Sequence, residues 1–360
     1  MSAAAQALLA ELQRTTRRPW TLMEVCGGQT HSILRWGLDQ LLPPQLTLIH
    51  GPGCPVCVTP AATIDQALQL AACPGVILCS YGDMLRVPGS RTDGLARDLL
   101  QARARGADVR VLSAPLQALD LARAHPGHQV VLLAVGFETT APATALLVEQ
   151  ARGLGLTNLS LLLAHVRVVP AMAAIAAQPQ QRVQGFLAAG HVAAVMGQDE
   201  LAQLVARHRL PVVISGFGLL ELLQALRSCV ALLESGTPQL VNAYGPVVRP
   251  GGNPAAQALM RQVFCRADGP WRGLGPVPGG VLQLRSAYRH LDARARFGLQ
   301  PPRHEADPPA CIADQVLQGL ARPTQCPSFG TACTPRRPLG APMVSSEGAC
   351  AAYLQYRPAL

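Results

Sequence analysis

Four cysteines near the C-terminus have the number and the proximity expected of a metal centre. They fall within 40 residues, at intervals of 15, 7 and 17 positions, in a stretch rich in proline and glycine: Cys311, Cys326, Cys333 and Cys350. Four thiolates complete the coordination of one 4Fe–4S cluster or of one zinc ion. The spacing matches neither a zinc ribbon nor a bacterial ferredoxin, so it predicts a metal without selecting between the two.

Two more cysteine motifs lie in the first sixty residues. In MEVCGGQTH (23–31), Cys26 precedes two glycines whose backbone N–H groups favour a thiolate, and His31 supplies an imidazole nearby, a combination that suits a soft metal ion. In HGPGCPVCVTP (50–60), Cys54 and Cys57 form a C-x-x-C pair directly after an apolar run. This pair is typical of a redox dithiol or of half a metal site.

Polar residues follow two other apolar runs. Asp83 and Arg86 in YGDMLRVPGS (81–90) are best interpreted as a structural ion pair. In VGFETTAP (135–142), Thr140 suits a helix cap, whereas Glu138 is less easily explained by capping and is predicted to be a proton carrier or a hydrogen-bond partner. The remaining cysteines and two histidines at strand ends are predicted to be structural: Cys73, Cys79, Cys229, Cys265, His165 and His191.

Composition excludes several classes of protein. Hydrophobic residues make up 49% of the 360 positions and no run reaches the 18 apolar residues of a membrane span. The N-terminus reads as a short amphipathic helix without an export signal, so we expect a cytoplasmic protein. All 30 basic residues are arginines, which excludes a Walker A lysine or a Schiff-base lysine. The arginines are scattered without interleaved aromatics, so no nucleic-acid site is predicted.

The elements that must position these residues alternate between short apolar strands and helical patterns. Alternation of this kind predicts an α/β fold with parallel sheets covered on both faces. Strands are predicted at 46–50, 75–81, 107–113, 129–136, 159–166, 186–197 and 211–216. The seven strands could form one sheet, but two smaller Rossmann-like α/β domains fit the length of the chain better. The predicted domains are therefore residues 1–130, residues 131–245 and residues 246–360, the last a smaller loop-rich domain that carries the metal.

Taken together, the motifs resemble the HypD family of NiFe-hydrogenase maturation factors. The similar segments run from residue 23 to residue 353: MEVCGGQTH, HGPGCPVCV, YGDMLRVPGS, VGFETTAP, GHVAAVMG, WRGLG and CPSFGTACTPRRPLGAPMVSSEGACAAY. The resemblance implies two similar α/β domains and a third domain with a 4Fe–4S cluster. It also implies a scaffold with redox-active thiols, and not a conventional turnover enzyme.

The resemblance further implies partners and residue roles. Such a protein pairs with a HypC-type chaperone and holds Fe(II) while two cyanides and one carbon monoxide are attached. Cyanide arrives from a HypE-type donor, and the Fe(CN)2CO unit passes to the hydrogenase large subunit. By motif, Cys26 would hold the iron and His31 would line that site, Cys54 and Cys57 would be the redox dithiol, and Glu138 a cleft residue. The cluster ligands would be Cys311, Cys326, Cys333 and Cys350.

Two hypotheses from other classes compete with this one. A stand-alone iron–sulfur disulfide reductase would use the cluster and the C-x-x-C pair, but it would leave Cys26 and Glu138 without a role. A structural protein would close the four C-terminal thiols around zinc. The Cys26→Ala variant separates the first alternative from the scaffold, and metal analysis separates the second.

Overall fold

A computed structural model describes residues 2–90, 96–301 and 308–357. The strands formed by these residues are β1 Trp20–Glu24, β2 Leu46–His50, β3 Val76–Ser80, β4 Val109–Val111, β5 Gln129–Gly136, β6 Leu159–His165, β7 Gly185–Ala189, β8 Val212–Ser215, β9 Leu240–Asn242, β10 Phe264–Trp271 and β11 Gly275–Leu284.

The α-helices formed by the same residues are α1 Ala3–Thr15, α2 Gly27–Arg35, α3 Leu38–Leu41, α4 Pro55–Val58, α5 Ala61–Ala71, α6 Leu99–Ala104, α7 Gln117–Ala124, α8 Ala141–Gly153, α9 Val168–Ala176, α10 Gly190–Met196, α11 Asp199–His208, α12 Leu219–Ser235, α13 Pro254–Val263, α14 Ala293–Phe297, α15 Ala313–Leu317 and α16 Ala349–Tyr356. Short 3-10 helices span Gly82–Arg86, Ser286–Leu291, Pro323–Gln325 and Ala341–Met343.

Two parallel sheets and one antiparallel hairpin organise the chain. The five-stranded sheet has the order β2-β1-β7-β8-β9, and the four-stranded sheet has the order β4-β3-β5-β6. Every strand pair in both sheets is parallel, whereas β10 and β11 pair antiparallel with a bulge between Ala267 and Gly269. The predicted α/β fold class, with Rossmann-like parallel sheets and a loop-rich C-terminal region, is confirmed.

The sheets are interleaved along the sequence. The four-stranded sheet is built from residues 76–165, which are inserted between β2 and β7 of the five-stranded sheet. Strand β5 begins at Gln129 and pairs with β3 on one side and β6 on the other, so this sheet takes strands from both sides of residue 130. The strand pairing therefore does not divide at that position. The boundaries of the three domains as folding units stay a prediction.

Continuous apolar runs account for the predicted strands, and amphipathic runs for the helices. All residues of β5 after Gln129 are buried, as expected for a strand covered on both faces. Helix α11 buries Leu201, Leu204 and Val205, which share one face at helical spacing. The predicted N-terminal helix is confirmed as α1. No helix among the described residues has the length and hydrophobicity needed to cross a membrane.

The predicted strands differ from the structure in two respects. The run 186–197 was expected to be one strand, but it splits into β7 and α10. At the junction, a Cβ on Gly190 would lie 2.5 Å from the carbonyl oxygen of Ser215, so the chain turns there against β8. The structure also has four strands that the pattern of apolar runs did not reveal: β9, β10, β11 and β1. Strand β1 was missed because WTLME is only five residues long and mixes apolar and polar residues. Cys26 lies two residues beyond this strand.

Candidate functional site

The loops that follow β1 and β7 open a crevice at the carboxyl edge of the five-stranded sheet. Strand β1 lies between β2 and β7, so the chain leaves β1 towards one side of the sheet and leaves β7 towards the other. Ligands bind at such a switch point in parallel sheets. Cys26 follows β1, and Gly190 and His191 follow β7. The topology therefore brings together residues that are 165 positions apart.

Cys26 lies in an apolar part of this crevice. Its side chain is 2% exposed, and its Sγ atom lies 3.8 Å from Nδ1 of His191, whose ring contacts that of Phe217. Burial is the main cause that raises the pKa of the Cys26 thiol, and the charges of Glu24 and Glu347 act in the same direction. Such a thiol stays protonated near neutral pH until a metal ion takes the place of the proton.

The C-x-x-C loop lies directly against Cys26. Cys54 and Cys57 are joined by a disulfide, with their Cα atoms 5.2 Å apart, and Cys57 donates its backbone N–H to Sγ of Cys54 over 3.3 Å. A Cβ on Gly53 would lie only 2.2 Å from the backbone nitrogen of Cys26. In addition, Gly27 donates its N–H to the carbonyl of Gly53 over 2.8 Å. The two thiol loops are therefore in backbone contact.

A buried carboxylate holds these two loops in register. Glu24 is 0% exposed, and its Oε2 accepts the N–H of Cys26 over 2.8 Å. Its Oε1 accepts the hydroxyl of Thr30 and lies 2.7 Å from Nδ1 of His50, the last residue of β2. A buried carboxylate needs such partners to offset its desolvation. Glu24 thus ties the start of α2 to the strand that leads into the C-x-x-C loop.

A turn from the C-terminal region covers both thiol loops. We name Ser345–Gly348 the cap turn; it lies immediately before α16. A Cβ on Gly27 would lie 2.5 Å from Cβ of Glu347, and a Cβ on Gly348 would lie 3.0 Å from Sγ of Cys57. Loss of water around its carboxylate, together with the charge of Asp83, raises the pKa of Glu347. The cap turn therefore adds a carboxylate to the crevice.

His31 is held by this C-terminal region. Its Nδ1 lies 3.3 Å from the carbonyl oxygen of Ser346, and its Nε2 lies 3.1 Å from the hydroxyl of Tyr356. The rings of His31 and Tyr356 pack edge to face, with centroids 5.2 Å apart. The imidazole next to the thiol of Cys26 is that of His191, which had been predicted to be structural. The iron-binding role predicted for His31 stays a prediction.

The four C-terminal cysteines line one apolar pocket. They share it with Ile312, Val316, Phe329 and Met343, and the cysteines are Cys311, Cys326, Cys333 and Cys350. Sγ of Cys333 accepts the N–H of Leu339 over 3.3 Å. Over residues 2–90, 96–301 and 308–357, no three His, Cys, Asp or Glu side chains are arranged to hold a single metal ion. The ligand set stays a prediction.

The sequence of this chain matches a known protein family over almost its whole length. A family model described as HypD, hydrogenase formation hypA family, matches residues 3–357. The chain belongs to the HypD family.

Curated relatives of this HypD-family chain are similar over nearly their whole length. The hydrogenase maturation factor HypD of Azotobacter vinelandii is 47% identical over 346 residues, which cover 94% of this chain and 90% of the relative. The hydrogenase maturation factor HypD of Escherichia coli (strain K12) is 42% identical over 349 residues, which cover 97% of this chain and 92% of the relative.

Glu138 lies two residues beyond β5 in this HypD-family chain, and its side chain is buried. Its carboxylate accepts the N–H of Val168 over 3.1 Å, at the start of α9. It lines the inner end of a cavity of about 280 Å³ that also contains Arg167, Glu200 and Arg266. Burial raises the pKa of Glu138 to about 7, although Arg167 acts against this shift. The function predicted for Glu138 stays a prediction.

Other residues singled out in the sequence have structural contacts. Arg86 donates to Asp83 and to the carbonyl of Val344, each over 3.0 Å, which agrees with the structural interpretation of that pair. His165 is buried, and its Nε2 lies 2.9 Å from the hydroxyl of Thr144. Sequence reasoning gave no functional role to four residues of the crevice, although all four fall in the segments MEVCGGQTH, HGPGCPVCV, GHVAAVMG and SSEGAC: Glu24, His50, His191 and Glu347.

Proposed function

We propose that this protein is an assembly scaffold in NiFe-hydrogenase maturation that holds an iron ion at Cys26. With a HypC-type chaperone it would keep Fe(II), as cargo, while cyanide and carbon monoxide ligands are attached. The observation that carries the proposal is the backbone contact between the Cys26 loop and the C-x-x-C loop. If Cys26 holds the iron and the C-x-x-C pair is redox-active, this contact would let the pair supply electrons directly to an assembly step at the iron.

The Cys26 side of the crevice offers suitable surroundings for ferrous iron. A thiolate matches a soft, low-spin ferrous ion, and burial at 2% exposure keeps water away from it. His191 lies 3.8 Å from the sulfur and can orient the thiolate or donate a second ligand. Glu347 supplies a carboxylate at the open side of the crevice. The remaining ligand positions would be completed by the chaperone and by the incoming cyanide and carbon monoxide.

The chemistry of cyanide delivery explains why a dithiol belongs in this site. A HypE-type donor carries the cyanide as a thiocyanate, R–S–C≡N. Breaking the S–C bond so that carbon leaves as cyanide takes two electrons and leaves the donor as a thiol. Oxidation of the Cys54 and Cys57 thiols to the disulfide supplies both electrons and releases two protons, of which the donor sulfur takes one. The disulfide must then be reduced for the next cyanide.

The C-terminal cysteines fit a 4Fe–4S cluster by their donor chemistry. Four sulfurs line one apolar pocket, and the N–H of Leu339 donates to Sγ of Cys333, a kind of contact that tunes cluster potentials. When bound there by Cys311, Cys326, Cys333 and Cys350, the cluster would supply electrons to the disulfide. Helix α16 carries Cys350, and the cap turn that precedes this helix touches Cys57. The chain thus has a short connection between the two redox sites.

The test is an iron and acid-labile sulfide count on anaerobically purified protein with its HypC-type partner. Sulfide measures cluster iron, so iron in excess of sulfide measures the cargo. We expect Cys26→Ala to lose the excess iron and to keep the cluster, whereas Cys73→Ala, far from the crevice, keeps both. Excess iron that persists in Cys26→Ala would contradict the proposal.

A stand-alone iron–sulfur disulfide reductase is the second candidate, since Cys54 and Cys57 form a disulfide. Under that alternative, Cys26→Ala reduces a disulfide substrate as fast as the wild type and supports hydrogenase maturation. Loss of maturation with the C-x-x-C disulfide still reducible favours the scaffold.

A further inference from the structure

Both ring nitrogens of His31 are already engaged within the chain. Nδ1 faces the carbonyl oxygen of Ser346, which only accepts, so Nδ1 carries the proton and Nε2 accepts the hydroxyl of Tyr356. A histidine that binds a metal ion must offer an unused lone pair. The lone pair of Nε2 already accepts the Tyr356 hydroxyl. His31 is therefore arranged as a link to the C-terminal region.

The segment that His31 holds is the one that covers the thiols. Ser346 lies in the cap turn, and its neighbour Glu347 packs against Gly27, next to Cys26. Arg86 holds the same segment from the other side through the carbonyl of Val344. Ser346 and Glu347 are exposed, whereas Cys26 and Cys57 beneath them are buried. Two polar side chains thus anchor an exposed turn over buried thiols.

We propose that His31 is a positioning residue, which together with Tyr356 anchors the cap turn so that Glu347 stays beside Cys26, and that it is not an iron ligand. This inference rests on the proposed function only for the identity of the cargo, because the anchoring itself is a property of the chain. The Tyr356 hydroxyl allows a test that distinguishes an anchoring role of His31 from an iron-binding role. Removing the hydroxyl weakens an anchor but cannot remove an iron ligand.

Hydrogen exchange of the full-length protein measures the anchoring without iron. We expect His31→Ala and Tyr356→Phe each to speed the amide exchange of residues 345–349 by about five- to tenfold, the effect of losing one hydrogen bond. Tyr288→Phe is the matched control, because its hydroxyl bonds to Glu149 on α8, and exchange of the cap turn should not change. Unchanged exchange in both His31→Ala and Tyr356→Phe would overturn the proposal.

Iron in excess of sulfide, measured on the complex with the HypC-type partner, gives the second readout. We expect Tyr356→Phe and His31→Ala to reduce the excess iron together, and Glu347→Gln combined with His31→Ala to lose no more than Glu347→Gln alone, because both changes act through one carboxylate. Loss of iron in His31→Ala with full retention in Tyr356→Phe would identify His31 as a ligand. If Cys26→Ala keeps its excess iron, the proposed function fails, and the exchange data still decide whether His31 anchors the turn.

Discussion

Nδ1 of His191 lies 3.8 Å from Sγ of Cys26, across the point where the strand order of the five-stranded sheet reverses. The contact joins the loop after β1 to the start of α10, and Phe217 packs against the imidazole from the loop after β8. The loops after three neighbouring strands therefore shape the surroundings of one thiol.

The imidazole of His191 should matter for iron retention and little for folding. We expect His191→Ala to reduce iron in excess of sulfide by roughly tenfold, the usual effect of removing a group that orients a metal ligand. Its folding stability should change by less than about 1 kcal/mol, since the ring is partly exposed. His128→Ala, on an exposed loop, is the control. Wild-type iron retention in His191→Ala would exclude a role at Cys26.

A side chain at position 53 should push the two thiol loops apart. The Cβ of Gly53→Ala would lie 2.2 Å from the backbone nitrogen of Cys26, so the backbone must shift, at a cost of roughly 1–3 kcal/mol. Gly245→Ala is the matched control, because nothing lies within 4 Å of its new Cβ. Urea denaturation measures the folding stability of each variant, and iron in excess of sulfide measures how much iron the Cys26 site retains. Equal stability of the two variants would mean that the loops are not in contact.

The C-terminal pocket should lose its cluster when one thiol is removed. We expect about four irons and four sulfides per chain in the wild type, with a brown absorbance that dithionite bleaches. Cys326→Ser should lose most of both, whereas Cys73→Ser, on the surface after α5, should lose neither. Zinc without sulfide in the wild-type protein would contradict the proposal that a cluster in this pocket supplies electrons to the C-x-x-C disulfide. The pocket would then have a structural role.

Burial of Glu138 should make folding stability depend on pH. The pKa rises from 4.5 to about 7, so the native state binds more protons than the unfolded chain between these values, and stability falls as pH rises through the window. Glu138→Gln keeps an acceptor for the Val168 N–H and removes the ionisation. We expect this variant to gain roughly 2–3 kcal/mol over the wild type at pH 8 and almost nothing near pH 4.5. Urea denaturation curves at several pH values measure the difference, and parallel stability profiles would exclude Glu138 as their cause.

Local sequence indicated strands β2 to β8, several of the helices and the thiol motifs. Runs such as QVVLLAVG are apolar throughout because both faces of a parallel strand are covered, and this property is visible without knowing the neighbours. The C-x-x-C pair is equally local, since three residues of chain bring Cys54 and Cys57 within reach of one another. The grouping of four C-terminal cysteines into one pocket also follows from their proximity along the chain.

Tertiary structure alone decided which of these residues meet. Strand β1 is short and mixed in polarity, and it is defined by pairing with β2 and with β7, which lies some 160 residues further along the chain. That pairing brings His191 to Cys26 and encloses Glu24 beneath both thiol loops. The parallel packing of β5 beside β6 brings Glu138 to the N–H of Val168 at the start of α9, and the return of the C-terminal turn brings Glu347 against Gly27, next to Cys26. The spacing of residues in the sequence specifies local hydrogen bonds and the exposed faces of helices and strands. Contacts between distant segments depend instead on the order of the strands in the sheet, and the periodicity of the sequence does not encode that order.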